Sequence, residues 1–366
     1  MNILINSGRT ASYLSTRRNL IISIIARGHN LVLTGYQKGL EKEIEDLGAK
    51  FIKVPLSRAG FNPVLDIILL IKYCKIIKKE EIDVVHSYTI KPNIYGSLAA
   101  KIMGVKKIFP TLNGIGFAFT GEGLKAKFTR IIASFLYFWA FKCSSKIFFH
   151  NTDDIKLIVK SNLTTKDKCI LTYGSGIDMQ YYKYQEMPKA FSFILISRLL
   201  KSKGIMEYLN AAKVVKEKYP NIVFNLIGPT DPNPTGIKIN DIQYYLENDI
   251  IKYYNNQPDI RPFLKESSVV VLPSYREGLP NTILEGMSTG RAVITTDVPG
   301  CRETVINGKN GYLVKPFSSD DMAQKMCWMI ENKEKLEEMG KASIELAKSK
   351  FEVNKVNQII ISSMNL

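Results

Sequence analysis

The sequence lacks several features that usually announce a function. Its five cysteines (Cys74, Cys143, Cys169, Cys301 and Cys327) are odd in number, scattered, and never spaced as a CxxC pair. That pattern argues against a disulfide framework or a zinc site and suits a reducing compartment. Nowhere does an apolar run reach the roughly 18 residues needed to cross a bilayer. The opening MNILIN reads as a strand without a basic n-region or apolar h-region, so no signal peptide is expected. The dinucleotide fingerprint G-x-G-x-x-G is absent, which counts against a dehydrogenase. No Asp-x-Asp stands where it could hold a divalent ion. The adjacent pairs Asp153-Asp154 and Asp320-Asp321 read as helix starts, so neither metal nor other cofactor is expected. Internal repeats and low-complexity segments are missing as well.

Acidic residues are outnumbered, 34 against 50 lysines and arginines, which leaves a formal charge of +16. Such a balance implies anionic partners: nucleic acid, a nucleotide sugar or an anionic membrane surface. The basic residues are dispersed and form no recognition motif, so nucleic acid is the weakest of the three. A hydrophobic content of 45% over 366 residues describes a folded chain long enough for two domains.

One stretch organises the rest. Val269 to Leu272 is an apolar β-branched run that reads as a buried parallel strand, ended by Pro273. A polar loop, Ser274 to Leu279, leads to Pro280 as a first helical residue, a helix to Thr289, a stop at Gly290 and a strand from Ala292 to Thr295. Two carboxylates fall in this unit, Glu277 in the loop and Glu285 on the helix. Free N–H groups near Asn281 and Thr282 would favour an anion at the same spot. A helix end that binds an anion, flanked by two carboxylates that accept hydroxyls, suits a sugar joined to a diphosphate. The alternative is that both glutamates are solvated charges at a helix end.

Glu277-Gly278-Leu279-Pro280-Asn281-Thr282-Ile283-Leu284-Glu285 resembles the E-x7-E signature of the family-four retaining glycosyltransferases, which have the GT-B fold. Gly290, Pro299-Gly300, Glu303 and the run from Asn307 to Val314 follow in that family's order. The resemblance implies an α/β chain of two Rossmann-like, doubly wound parallel-sheet domains facing a cleft. Residues 1–176 would bind the acceptor, 177–190 would link, 191–351 would bind the nucleotide sugar, and 352–366 would return as a helix to the first domain. It is closest to bacterial enzymes that extend undecaprenyl-diphosphate-linked sugars in O-antigen, capsule or N-glycan assembly. The implied partners are a UDP-sugar and a lipid-diphosphate-linked saccharide at the cytoplasmic face of the inner membrane.

Site residues follow by the same resemblance. Glu277 would hold donor-sugar hydroxyls and Glu285 the ribose hydroxyls, with Gly278, Leu279, Pro280, Asn281 and Thr282 between them. Ser197-Arg198-Leu199-Leu200-Lys201-Ser202-Lys203-Gly204 is similar to the family's G-R-L-x-x-x-K-G, with Ser197 in place of glycine. There Arg198 and Lys203 can straddle a diphosphate, one as a bidentate fork and one as a point charge. Gly228, and Ile260 in the Gln257 to Ile260 segment, fall where relatives hold the nucleotide. Gly8 stands alone in the loop after the first strand, where relatives carry two glycines near the donor diphosphate.

On the acceptor side, His86 is read as closing a strand, ahead of a loop Ser87 to Asn93 that includes Lys91 and resembles H-x-x-T-x-K-P-N. His86 is open to a structural or a functional reading. Asn113, Gly114 and Gly116 follow another strand, where relatives carry T-x-x-G-L-G and a histidine near Asn113. Finally, the apolar segment 131–141 is flanked by Lys125, Lys127, Arg130 and Lys142. It is too short to span a bilayer, but it can lie in the interface or pack as a core helix. A sugar-nucleotide epimerase of the same fold is the nearest rival reading, and a nucleic-acid-binding protein the more distant one.

Overall fold

The computed structural model describes residues 1–37, 39–56, 62–115 and 123–366, and of 124–126 the backbone only. It divides into two compact units, Met1–Gly176 with Val353–Leu366 and Ile177–Glu352.

The first unit alternates strand and helix: β1 (Asn2–Ser7), α1 (Arg18–Ile25), β2 (Asn30–Gly35), α2 (Glu41–Glu45), β3 (Lys50–Lys53), α3 (Pro63–Lys79) and β4 (Val84–Tyr88). It continues with α4 (Ser97–Ile102), β5 (Lys107–Leu112), α5 (Leu124–Cys143), β6 (Ile147–Phe149), α6 (Thr152–Lys160) and β7 (Cys169–Leu171). The seven strands form one sheet in the order β3-β2-β1-β4-β5-β6-β7, and every pairing is parallel. A parallel sheet is covered by helices on both faces, which is why β4 is buried at every position.

The second unit repeats the plan with β8 (Ser192–Ile196), α7 (Ile205–Lys218), β9 (Val223–Ile227), α8 (Ile239–Glu247), β10 (Lys252–Tyr254), α9 (Arg261–Lys265) and β11 (Val269–Leu272). Next come α10 (Asn281–Ser288), β12 (Ala292–Thr296), β13 (Gly311–Val314), α11 (Ser319–Glu331) and α12 (Leu336–Leu346). Its six strands run β10-β9-β8-β11-β12-β13. The core here is aromatic and aliphatic: Phe193 stacks on Phe224 at 5.1 Å, and Tyr208 meets Phe224 edge-on at 6.0 Å. Each such side chain contributes about 1.5–3 kcal/mol by leaving water.

In both sheets the strand order reverses once, between β1 and β4 and between β8 and β11. In doubly wound sheets ligands bind outside the carboxyl ends of the strands at that reversal. The loops after β8 and β11 carry Arg198, Lys203 and Glu277, so topology alone sets the candidate residues together.

Several elements differ from the sequence reading. The edge strands β7, β10 and β13 are short, three or four residues each. Pro280 is the cap of α10 and not its first residue. The segment 177–190, read as a linker, is fastened to the second unit. There Arg291, fully buried, donates from Nη2 to the carbonyls of Gln185 at 2.6 Å and Glu186 at 2.9 Å. The last helix, α13 (Val353–Met364), belongs to the first unit, where Val356, Ile360 and Met364 pack with Leu20, Ile21 and Ile24 of α1.

Candidate active site

Glu277 is held from both ends. Its backbone N–H donates to Pro299 O at 3.1 Å. Gly300 turns there with φ +81°, and a Cβ on it would stand 2.4 Å from Glu277 O. Only glycine permits that approach. The carboxylate itself is largely buried and pairs with Lys203 Nζ. Ser274 Oγ donates to the same oxygen, Oε1, at 2.7 Å. The sequence reading did not include Ser274, which was visible only as the residue after Pro273. Beneath the site the Cys301 thiol is buried, and desolvation, with the Glu277 charge adding to it, pushes it up to about 12.

Arg198 leaves β8 half exposed and bonds Asp231 Oδ2 at 2.5 Å. An exposed pair of this kind adds little to stability, but it fixes where the guanidinium points. Asp231 lies in the turn-rich run after Gly228. Gly228 has φ +145°, and a Cβ on it would meet Ser197 O at 1.9 Å, so glycine lets this turn close on the Arg198 loop. Ile260 precedes α9 and packs on the Ile194, Ile196 and Leu264 cluster, with its carbonyl accepting from Leu264 N at 3.0 Å.

At α10, Leu279 and Pro280 are buried, and intrahelical bonding begins with Ile283 N to Pro280 O at 3.1 Å. The N–H groups of Asn281 and Thr282 precede the ladder, as first-turn amides do. Glu285, one turn further along, keeps a little accessible surface although protein atoms enclose its carboxyl. Desolvation raises it to about 7, against the opposing hydrogen bond from Tyr182. Tyr182 sits in the tyrosine-rich stretch that had been read only as a linker. Gly278, between the two glutamates, lies against the Gly300 turn, 2.7 Å from where a Cβ of Gly300 would be.

The first unit treats its candidates differently. His86 does not end its strand, since β4 continues to Tyr88. Its ring is fully buried, with Nε2 2.8 Å from Thr111 Oγ1 and Phe148 at 5.4 Å. Desolvation, and then the charge of Arg17, lower it to about 3, so the imidazole is neutral. The expected loop at 87–93 is short, because a helical turn begins at Pro92 and runs into α4. Lys91 in it pairs with buried Asp66 at 2.7 Å. Asn113 follows β5, and its buried Oδ1 has no partner among the described residues; Gly114 beside it has φ +136°. Gly116 lies outside the described residues. Gly8 follows β1 and donates from its N–H to Thr89 Oγ1 at 3.0 Å.

The segment 131–141 divides by face. On α5, Ala133, Tyr137, Ala140 and Phe141 are buried, while Phe128, Ile131, Phe135, Phe138 and Trp139 are exposed. Helix α3 exposes Val64, Ile67, Ile68 and Ile71. Between the two helices runs an apolar groove of about 430 Å³, lined by Ile67, Leu70, Ile131 and Phe135 among others. No helix among the described residues is long and apolar enough to cross a membrane.

Comparison with known proteins is consistent across sequence and structure. The family model "Glycosyl transferase 4-like" matches residues 8–151, and "Glycosyl transferases group 1" matches residues 181–346. The chain is 26% identical to the N,N'-diacetylbacillosaminyl-diphospho-undecaprenol alpha-1,3-N-acetylgalactosaminyltransferase of Campylobacter jejuni, over 88% of this chain and 87% of that one. It is 27% identical to the UDP-Gal:alpha-D-GlcNAc-diphosphoundecaprenol alpha-1,3-galactosyltransferase of Escherichia coli, over 76% and 74%. In fold it is similar to a glycosyltransferase from Rickettsia africae, with TM-score 0.80, 18% identity and coverage of 100% and 97%. It is likewise similar to Anabaena HepE in complex with UDP-glucose, with TM-score 0.81, 17% identity and full coverage of both chains. The fold is thus GT-B, each unit supplying one Rossmann-like domain.

Proposed function

We propose that this chain, which belongs to the glycosyltransferases and carries a 4-like domain followed by a group 1 domain, moves a hexose or N-acetylhexosamine from a UDP-sugar to a lipid-diphosphate-linked saccharide. Transfer retains the anomeric configuration and needs no metal. The observation that carries this reading is the gathering of Glu277, Lys203 and Ser274 in one bonded group at the start of α10. Arg198 shares the loop after β8 with Lys203, and Glu285 lies one turn into α10.

In the reaction the bond from the anomeric carbon to the diphosphate oxygen breaks, and the acceptor hydroxyl bonds to that carbon from the same face. Its proton passes to the departing phosphate oxygen, so no protein nucleophile is invoked. Charge grows on the leaving diphosphate. Arg198, Lys203 and the amides of Asn281 and Thr282 are fixed dipoles and cations placed to receive it, the role a metal would otherwise fill. Glu277 takes the donor-sugar hydroxyls, and Glu285 the ribose hydroxyls. The two relatives named for diphospho-undecaprenol substrates support the acceptor class. The exposed apolar faces of α3 and α5 support a peripheral position on an anionic membrane, which we assign to the cytoplasmic face of the inner membrane.

The test is a panel of radiolabelled UDP-sugars with a lipid-diphosphate saccharide acceptor, run with and without EDTA. The expected result is one labelled lipid product, of retained configuration by NMR, formed equally well with chelator present. Activity lost to EDTA and restored by magnesium or manganese would overturn the metal-free mechanism. Release of free epimerised UDP-sugar without acceptor would favour the epimerase instead.

A further inference from the structure

Arg17 and Arg291 are both buried, and their surroundings differ. Arg291 gives its Nη2 hydrogens to two backbone carbonyls of the segment it fastens. Arg17, at the start of α1 and 5% exposed, has no carboxylate partner among the described residues. Its guanidinium lies over the Tyr88 ring, 3.8 Å from the centroid, and its Nη1 reaches Thr16 Oγ1 only at 3.3 Å. Its Nε has no hydrogen-bond partner among the described residues.

Arg17 lines a small cavity together with Tyr88, Thr111, His150, Ser175 and Asn357 among others, with no Asp or Glu among the described residues of its wall. The cavity measures about 10 Å³, room for one water-sized particle. Asn357, 3% exposed on α13, is also in its wall, and its buried Nδ2 donor has no partner among the described residues. The position is the carboxyl end of β4, β5 and β6, the end of such a sheet where ligands enter.

We propose that this cavity binds a single anionic atom against Arg17, either a small inorganic anion or one terminal oxygen of a phosphoryl group. A guanidinium does not give up its proton inside a protein, and a buried charge needs a counter-charge. The neighbouring groups do not supply one. Burial pushes the Tyr88 phenol up to about 12, so it stays neutral. His86 and His150 are driven down to about 3 by desolvation first and Arg17 second, and stay neutral too. What remains is a cation and amide or hydroxyl donors facing a space of atomic size. The phosphoryl source rests on the acceptor reading given above; the inorganic source does not.

Two measurements on the full chain distinguish the sources. Crystals grown in sodium bromide are expected to show an anomalous peak beside Arg17 Nε if the anion is inorganic. Thermal melting is followed with chloride replacing isethionate at constant ionic strength, and separately with inorganic pyrophosphate, for wild type and Arg17→Met. A rise in melting temperature that Arg17→Met abolishes supports the site, and the anion producing it identifies the source. Should Arg17→Met not fold, Asn357→Leu takes its place and is expected to weaken the same anion about tenfold, as loss of a hydrogen bond to a charged group does. No bromide peak, together with equal anion responses in wild type and variant, would overturn the proposal.

Discussion

In the loops after its strands the second unit sets opposite charges together, Lys203 on Glu277 and Arg198 on Asp231. Below Tyr88 the first unit does the reverse, burying one cation and two neutral imidazoles among aromatic rings with no acid paired to them among the described residues. Paired charges whose cations keep some contact with solvent can exchange partners for a substrate at modest cost. Buried unpaired groups act mainly through what their desolvation excludes. The same kind of side chain therefore has different consequences in the two units, and substitution should separate them.

The largest expected effect is at Glu277. Glu277→Ala removes the carboxylate that Lys203 and Ser274 share, and turnover should fall by roughly 30- to 1,000-fold, corresponding to about 2–4 kcal/mol of lost charged hydrogen bonding. His86→Ala, by contrast, leaves a hole beside Phe148 and Tyr88 and should cost about 3 kcal/mol of stability, with turnover per folded molecule little changed. Steady-state kinetics and urea unfolding on both variants check this. A His86 variant that is fully stable yet inactive, or a Glu277 variant that is active, would erase the contrast.

The same contrast explains what could be read from the sequence. Glu277, Pro280 and Glu285 lie within one continuous strand–loop–helix stretch, and Arg198 and Lys203 share one loop, so short-range spacing was enough to propose them together. Alternating apolar runs and glycine stops were enough for most of both sheets. Tyr182, Asp231 and Ser274 were missed because their value lies in contacts across the fold and not in any local pattern. Arg17 was missed for a further reason. Nothing in Ser15-Thr16-Arg17-Arg18 says which of two adjacent arginines will be buried; that is decided by the face of α1 that packs under α13. His86 shows the opposite error. A strand read as closing at His86, where it runs on to Tyr88, made a core histidine look like an edge one.

A middle-sized effect should appear with pH, with different signs in the two units. Glu285 is raised to about 7 from an ordinary 4.5, so its carboxyl holds a proton below neutrality and becomes a hydroxyl-accepting carboxylate above it. Donor affinity should therefore weaken as pH falls through about 7, and Glu285→Gln should flatten the profile. Tyr182→Phe removes a bond that favours the ionised form, so the break should move to higher pH. As a raised carboxyl, Glu285 contributes stability that is fully present below about 4.5 and is lost as pH rises from there through about 7. His86 and His150 are lowered from 6.5 to about 3. In that interval the unfolded chain binds the protons the folded one refuses, so their contribution to stability is lost as pH falls from about 6.5 toward 3. UDP titration calorimetry across pH reads the first effect and acid unfolding the second. A donor affinity that is flat in the wild type would remove Glu285 from the nucleotide site.

The smallest effect expected is on membrane attachment, and it sharpens the comparison because the surface proposed for it lies on the first unit. Phe128, Ile131 and Phe135 stand out from α5 with more than half of their surfaces in solvent, facing a groove shared with α3. Lys127 is exposed on the same helix, and Lys142 sits over the Trp139 ring at 5.1 Å. Each basic residue near an anionic surface is worth about 1 kcal/mol and is screened by salt, whereas the aromatic face adds a burial term that salt does not screen. Attachment to anionic liposomes should therefore weaken with ionic strength without vanishing. Ile131→Ser with Phe135→Ser should remove the salt-resistant part, and Lys127→Glu with Lys142→Glu the salt-sensitive part. Co-sedimentation across a salt series, with melting curves to show that the variants fold, separates the two. If all variants sediment like the wild type at every salt concentration, the apolar faces of α3 and α5 serve something other than lipid.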